Sequence, residues 1–321
     1  MPLRPRELGV ALEQQDYDSI YAATSVQFKD FIGRVQFVQL CRDFCVDEPQ
    51  FTLVKDYSFL DVHNYVWLDK RKDKAVFAAF DADNIIQGMY FKPYVTYPKS
   101  DKRYTKNKYR MPIIGEWYVF WGGTNEFQNY HYPYVEQRYA YDLVKVENQQ
   151  TYLDSKLWNS NFFAFNEHVV APLEGTVVAV VDGFVDNEPG EMDENHTAGN
   201  YVVLAHPNEE FSMLAHFRKG SILVKVGDKV VTGQPLGRCG NSGNSSEPHI
   251  HFQVMDLANV DTAQSLRIRF DGHSEPVQGD IVNSAVYTDE EKLDKSDKID
   301  TSVMLGELVS MTARLIRLYF K

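Results

Sequence analysis

The chain has 321 residues, long enough for two domains with substantial cores. At 44% apolar and 24% charged it is composed as a folded protein, and a formal charge of −12 argues against a nucleic-acid partner, because phosphate contacts need a basic surface. No apolar run reaches the length of a membrane span, and three cysteines are too few for a disulfide framework. The opening MPLRPRELGVALEQQ lacks the apolar core and small-residue cleavage site of a signal peptide, so the expectation is a chain that stays inside or has been trimmed of its signal.

Residues 1–97 predict an α+β domain. ELGVALEQQDYDSIYAAT and SVQFKDFIGRVQFVQLCRDFC carry apolar positions at helical spacing, the second opening on a cap at Thr24 or Ser25. Cys41 and Cys45, four apart on that helix, read as a small apolar core pair rather than half of a metal site. Four strand-like runs follow, FTLVKDYSFL, HNYVWLD, KAVFAAFD and IIQGMYFKPY, with turns at KRKDK and DADN. The order resembles small cystatin-like or nuclear-transport-factor-2-like domains, without a motif to support it. The domain offers no chemistry, and its His63 reads as structural.

Residues 98–112, polar, basic and bounded by prolines, read as an interdomain linker. From residue 113 to about 287 the pattern becomes short strands between Gly, Pro and Asn turns, which predicts an all-β, antiparallel domain. Residues 288–321 read as a charged stretch and an amphipathic helix that docks on a domain or a partner.

The chemistry concentrates in NSSEPHIHFQVMD, residues 244–256. Side chains two apart on a strand share a face, so His249 and His251 stand side by side. Such a pair serves as two metal ligands, or as one ligand beside a proton-handling group. Asp142, between Tyr141 and Leu143 in QRYAYDLV, is a carboxylate in an apolar strand, which is costly unless paired or metal-bound.

These stretches, with APLEGTVVAVVDG, GDKVVTGQPLGRCGNSG and SMLAHF, together resemble the lysostaphin/LytM-type zinc metalloendopeptidases over residues 113–287. The resemblance implies a β-sheet groove holding one zinc ion and hydrolysis of peptide bonds, usually in bacterial cell-wall (peptidoglycan) peptides. It assigns Asp142 and His251 as zinc ligands and His249 and His216 as catalytic. The family's commonest spacing, His-x-x-x-Asp, places Arg138 at the third ligand position, and Arg cannot ligate. Catalytic zinc needs three protein ligands, so the third is expected at His131, upstream in QNYHYPYVEQRYAYD. His168, His196, His206 and His273 are expected to be structural or at the surface, and a nucleophilic Cys239 would need a partner base.

Two rival readings fit the same sequence. GDKVVTGQPLG also resembles the hairpin of biotinyl and lipoyl carriers, but Lys229 sits inside the scaffold repeat instead of at an exposed tip. The other is a degenerate peptidase fold used as a binding or regulatory module. Peptidoglycan as substrate would place the protein in the cell envelope or outside the cell.

Overall fold

In the first unit each expected helix is broken once. Gln15 takes a left-handed φ of 58°, and the Asp16 carboxylate caps a new turn, separating α1 (Leu8–Glu13) from α2 (Tyr17–Ala22). Gly33 caps the other break, between α3 (Val26–Phe31) and α4 (Arg34–Phe44). Of the two candidate caps, Ser25 is the one used: its hydroxyl accepts the Phe28 N–H at 3.2 Å, while Thr24 donates back to the Tyr21 carbonyl. The computed structural model describes residues 3–46, 50–272 and 274–283, and the chain divides into two units between Val95 and Thr96.

The four strand-like runs form an antiparallel meander of β1 (Phe51–Phe59), β2 (Val62–Asp69), β3 (Lys74–Phe80) and β4 (Ile86–Pro93). Asp69 and Asp81 close its turns by accepting backbone N–H groups from Lys74 and Ile85. Leu8, Leu12, Ile20, Phe28 and Phe37 from the helices pack in one cluster with Trp67, Val76 and Phe80 from the sheet. Cys41 lies in that cluster and Cys45 at its margin, both unbridged, as the core reading expects. His63 bonds Ser58 and Asp56 across a strand pair, a structural role.

The second unit is built from β5 (Tyr104–Tyr109), β6 (Glu116–Trp121), β7 (Tyr141–Val144), β8 (His168–Val170), β9 (Gly175–Val181), β10 (Tyr201–His206), β11 (Glu210–Ala215), β12 (Lys229–Val230), β13 (Pro235–Arg238), β14 (Ile250–Met255), β15 (Ser265–Phe270) and β16 (Ile281–Asn283). The main sheet runs β12-β9-β10-β11-β14-β7-β6-β16 with every neighbouring pair antiparallel. β15 joins it beside β14 and pairs in parallel with β5, and β8 and β13 form a separate ribbon.

Residues 98–112 are therefore not a linker but part of this unit. The cause is Glu210, a buried carboxylate on β11. It accepts the backbone N–H groups of Lys106 and Asn107, the Asn107 amide at 2.8 Å and the Tyr109 hydroxyl at 3.1 Å. The polar residues that read as solvated are its donors, and Tyr109 is fully buried. The tail expected at 288–321 and His273 lie outside the described residues.

β14 divides by strict alternation. Ile250, Phe252 and Val254 enter the main core with Leu143, Leu204 and Leu214, which leaves His249, His251 and Gln253 on the opposite face. Because β5 and the Glu210 cradle belong to the unit, a fragment of residues 96–321 is expected to be soluble and to unfold cooperatively. A fragment of residues 113–321 is expected to lose cooperativity, leaving Glu210 buried without its donors. Circular dichroism melts of the two fragments check this.

Candidate metal centre

The sheet register assembles the site. On one side of β14, His251 stands opposite Asp142 of β7; on the other it stands opposite Ala215 of β11, directly before His216. Cross-strand neighbours of this kind have Cβ atoms about 5 Å apart. His131 arrives from the loop between β6 and β7. One ligand atom each from His131, Asp142 and His251 lies within 4.8 Å of the others, and all three residues are buried. The structure thus brings the expected trio together.

The hydrogen bonds behind each imidazole determine which nitrogen faces inward. The Asn129 side-chain nitrogen donates to the carbonyls of Gly123, Arg138 and Ala140, so its oxygen is the acceptor. That oxygen receives the His131 N–H at 3.1 Å and lies 2.9 Å from Nδ1, which must carry the proton. Nε2 of His131 is left as a lone pair, fully buried and without a hydrogen-bond partner, 3.5 Å from Asp142 Oδ2. At His251 the roles of the nitrogens are reversed. Gln253 donates to the Glu136 carbonyl, so its oxygen accepts from His251 Nε2 at 2.9 Å, and Nδ1 faces Asp142 Oδ1 at 3.0 Å.

A buried, unpartnered imidazole lone pair beside a carboxylate and a second imidazole is a donor set that fits zinc, which takes nitrogen and oxygen ligands in a compact shell. The electrostatics agree. Burial holds His131 neutral, its pKa pushed down to about 3. Burial would raise the Asp142 pKa, but the surrounding imidazoles, with the bond from His251, outweigh it and hold the carboxylate ionised. Burial opposes the charged form of His251 as well, yet Asp142 shifts that pKa upward on balance.

His249 and His216 stand beside this trio. The His249 Nδ1 lies 2.8 Å from the Glu247 carbonyl and therefore donates to it, which turns Nε2 toward Asp142 at 3.8 Å. The His216 Nδ1 donates to the Ser242 carbonyl at 2.7 Å, and the two rings are 4.6 Å apart. Burial holds the His216 pKa well below the usual imidazole value, with His249 and His251 adding to the effect. The Ser242 carbonyl is in place because Gly199 and Gly243, both at positive φ, let two backbone segments touch where a Cβ would collide.

The other candidates lie elsewhere. His206 bonds the Glu174 carbonyl and the Ser212 hydroxyl, His196 bonds Asp193, and His168 lies on the β8–β13 ribbon. Cys239 is fully buried, and burial drives its thiol pKa far up, which removes it as a nucleophile. Lys229 is paired in β12, not at a hairpin tip. The Arg138 Nε donates to the Tyr132 carbonyl, within the loop. Two residues that orient the site were missed in the sequence. Gln253 could have been found, since it continues the alternation of His249 and His251. Asn129 has no such signal.

His216 has a φ of 68°, a left-handed conformation that disfavours any residue with a Cβ. Replacing it tests that strain. His216→Gly and His216→Ala both lack the imidazole, but the glycine protein is expected to be more stable by about 1 kcal/mol in urea denaturation, because only glycine adopts this φ freely.

Residues 164–264 match the Peptidase family M23. The chain is 39% identical over 125 residues to the peptidoglycan DD-endopeptidase ShyA of Vibrio cholerae, which is 36% of this chain and 28% of that one. It is 32% identical over 98 residues to an uncharacterized metalloprotease of Buchnera aphidicola, 30% of this chain and 24% of that one. The matched stretches thus span less than a third of these relatives. Among solved structures, lysostaphin from Staphylococcus simulans is similar at 22% identity over 48% of this chain and 51% of that one, with a TM-score of 0.29. A zinc-containing peptidase from Vibrio cholerae is similar at 17% over 65% of this chain and 56% of that one, with a TM-score of 0.27. The family match holds His216, His249 and His251, while Asp142 and His131 lie upstream of it. Residues 164–264 therefore match the peptidase family M23, and part of the chain is similar to a relative named as a peptidoglycan DD-endopeptidase.

Proposed function

We propose that the chain is a zinc-dependent endopeptidase of peptidoglycan peptides, with His131, Asp142 and His251 as the metal ligands and His249 and His216 as the catalytic histidines. One observation carries this reading: the three ligand atoms converge within 4.8 Å, and the amides of Asn129 and Gln253 select the inward nitrogen of each ligand histidine. Peptidoglycan as substrate is supported by the name of the relative ShyA, and it implies work in the cell envelope. Among the described residues no helix is long and apolar enough to cross a membrane.

When bound, zinc supplies Lewis-acid chemistry, polarising a carbonyl and lowering the pKa of water. The chain's own residues do the rest. His249, with Nδ1 committed to the Glu247 carbonyl, has Nε2 free to take up a proton and return it. His216, held by Ser242, offers its Nε2 the same way and, once protonated, can donate to a developing oxyanion. Both rings are largely buried, which lowers the local dielectric and strengthens these interactions.

A digest of purified peptidoglycan, with mass analysis of the products, tests the activity: new peptide termini are expected with the zinc-loaded chain and none after chelation. Intact crosslinks with zinc bound would favour a binding module. The division of labour is tested separately. His251→Ala and His131→Ala are expected to weaken zinc binding by more than the roughly 10–100-fold typical of a change behind a ligand. His249→Ala should keep its zinc and lose its activity, and His168→Ala and His206→Ala should keep both. Calorimetric zinc titration of the five variants checks this, and unchanged affinity in His131→Ala would remove that residue from the ligand set.

A further inference from the structure

His131 belongs to no strand. It sits among turns between β6 and β7, where no ladder of backbone hydrogen bonds fixes the side chain, yet a metal ligand must be held within a few tenths of an ångström. We propose that Arg138, together with Tyr97 and Asp101, forms a clamp that positions His131; the proposal rests on the reading of His131 as a ligand.

Arg138 is 6% exposed. Its Nε donates to the Tyr132 carbonyl at 2.9 Å, and a terminal nitrogen lies 3.4 Å from the Pro133 carbonyl. Its guanidinium carbon lies 3.5 Å from the centroid of the Tyr97 ring, which gives the buried charge a cation–π partner. A buried guanidinium needs acceptors, and these are the carbonyls of the two residues after His131. They face Arg138 only while the loop keeps the conformation that turns His131 toward Asp142. Loop shape and arginine burial therefore require each other.

The segment at the start of the unit closes the clamp. The Tyr97 N–H donates to the Tyr132 hydroxyl at 3.1 Å, and that hydroxyl donates to the Asp101 carboxylate at 3.0 Å. The Tyr139 hydroxyl reaches the same carboxylate at 2.8 Å. Tyr132 is the chain neighbour of His131, and Tyr139 follows Arg138, so Asp101 ties the middle of the loop to its C-terminal end. The Arg138 carbonyl, in turn, accepts from Asn129, the residue that sets the His131 tautomer. Arg138 is not one of the three converging ligand residues and acts on them through the loop, as a positioning residue.

The test uses the full chain with Arg138→Ala, Arg138→Lys, Tyr97→Ala and Tyr97→Phe. Zinc affinity is read by chelator competition, and the unfolding midpoint is read on the metal-stripped proteins. Arg138→Ala, Arg138→Lys and Tyr97→Ala are expected to weaken zinc binding about tenfold or more. Lysine does not rescue, because it has no plane to lay on the ring and no fork for two carbonyls. Tyr97→Phe keeps the ring and the N–H and is expected to bind zinc as the natural chain does. A folded Arg138→Lys or Tyr97→Ala protein with unchanged affinity overturns the clamp, even with a lowered midpoint, since that is a purely structural role. Those two variants carry the test if Arg138→Ala does not fold. A His131→Ala protein with unchanged zinc affinity, or a natural chain that binds no zinc, overturns the ligand reading itself, and these two control arms distinguish that failure from failure of the clamp.

Discussion

The pairing of β7 with β14 in the register that sets Asp142 opposite His251 is the constraint from which the site follows. A strand alternates its side chains, so this one register decides that Ile250, Phe252 and Leu143 go to the core while Asp142, His249, His251 and Gln253 share the other face. A slip of one residue would bury the histidines among leucines and turn the core residues toward the site. The apolar face of β14 therefore specifies the geometry of the polar one, and hydrophobic burial of roughly 2 kcal/mol per large side chain enforces it. β11 completes the arrangement from the other side, its Ala215–His251 pairing delivering His216 next to the pair.

Four imidazoles and a carboxylate buried together would be destabilising if left to find their own partners. Each is instead tied to a fixed acceptor or donor on the surrounding chain: Asn129, Gln253, and the carbonyls of Ser242 and Glu247. These bonds choose the tautomer of each ring and so the direction of its lone pair. The close approach of Gly199 and Gly243 and the left-handed backbone at His216 serve the same end, which is rigidity before any ligand arrives. The function proposed for the site depends on that preorganisation as well as on the identity of each histidine.

The strand pattern of both units was legible because period-two alternation and turn residues are local signals. The helix breaks at Gln15 and Gly33 were less so, since apolar spacing continues across them. The stretch 98–112 was misread for a physical reason: its polarity serves a buried acceptor, Glu210, more than a hundred residues away, and no local window shows that partner. At the site, His249 and His251 announced themselves through spacing, and Gln253 extends the same rule. The placement of His131 could be argued only by elimination, because loop closure does not show in spacing. Arg138 read as a missing ligand; only the structure shows its side chain turned back into the loop.

The central claim is that the β6–β7 loop returns His131 to the metal face of the β7–β14 pair. Diffraction from zinc-soaked crystals at the zinc absorption edge tests it most directly. The account predicts one anomalous peak bonded to His131 Nε2 and His251 Nδ1 at about 2.0–2.1 Å and to an Asp142 oxygen at about 2.0–2.2 Å. A peak whose ligands exclude His131, or one centred on His168 or His206, would contradict it.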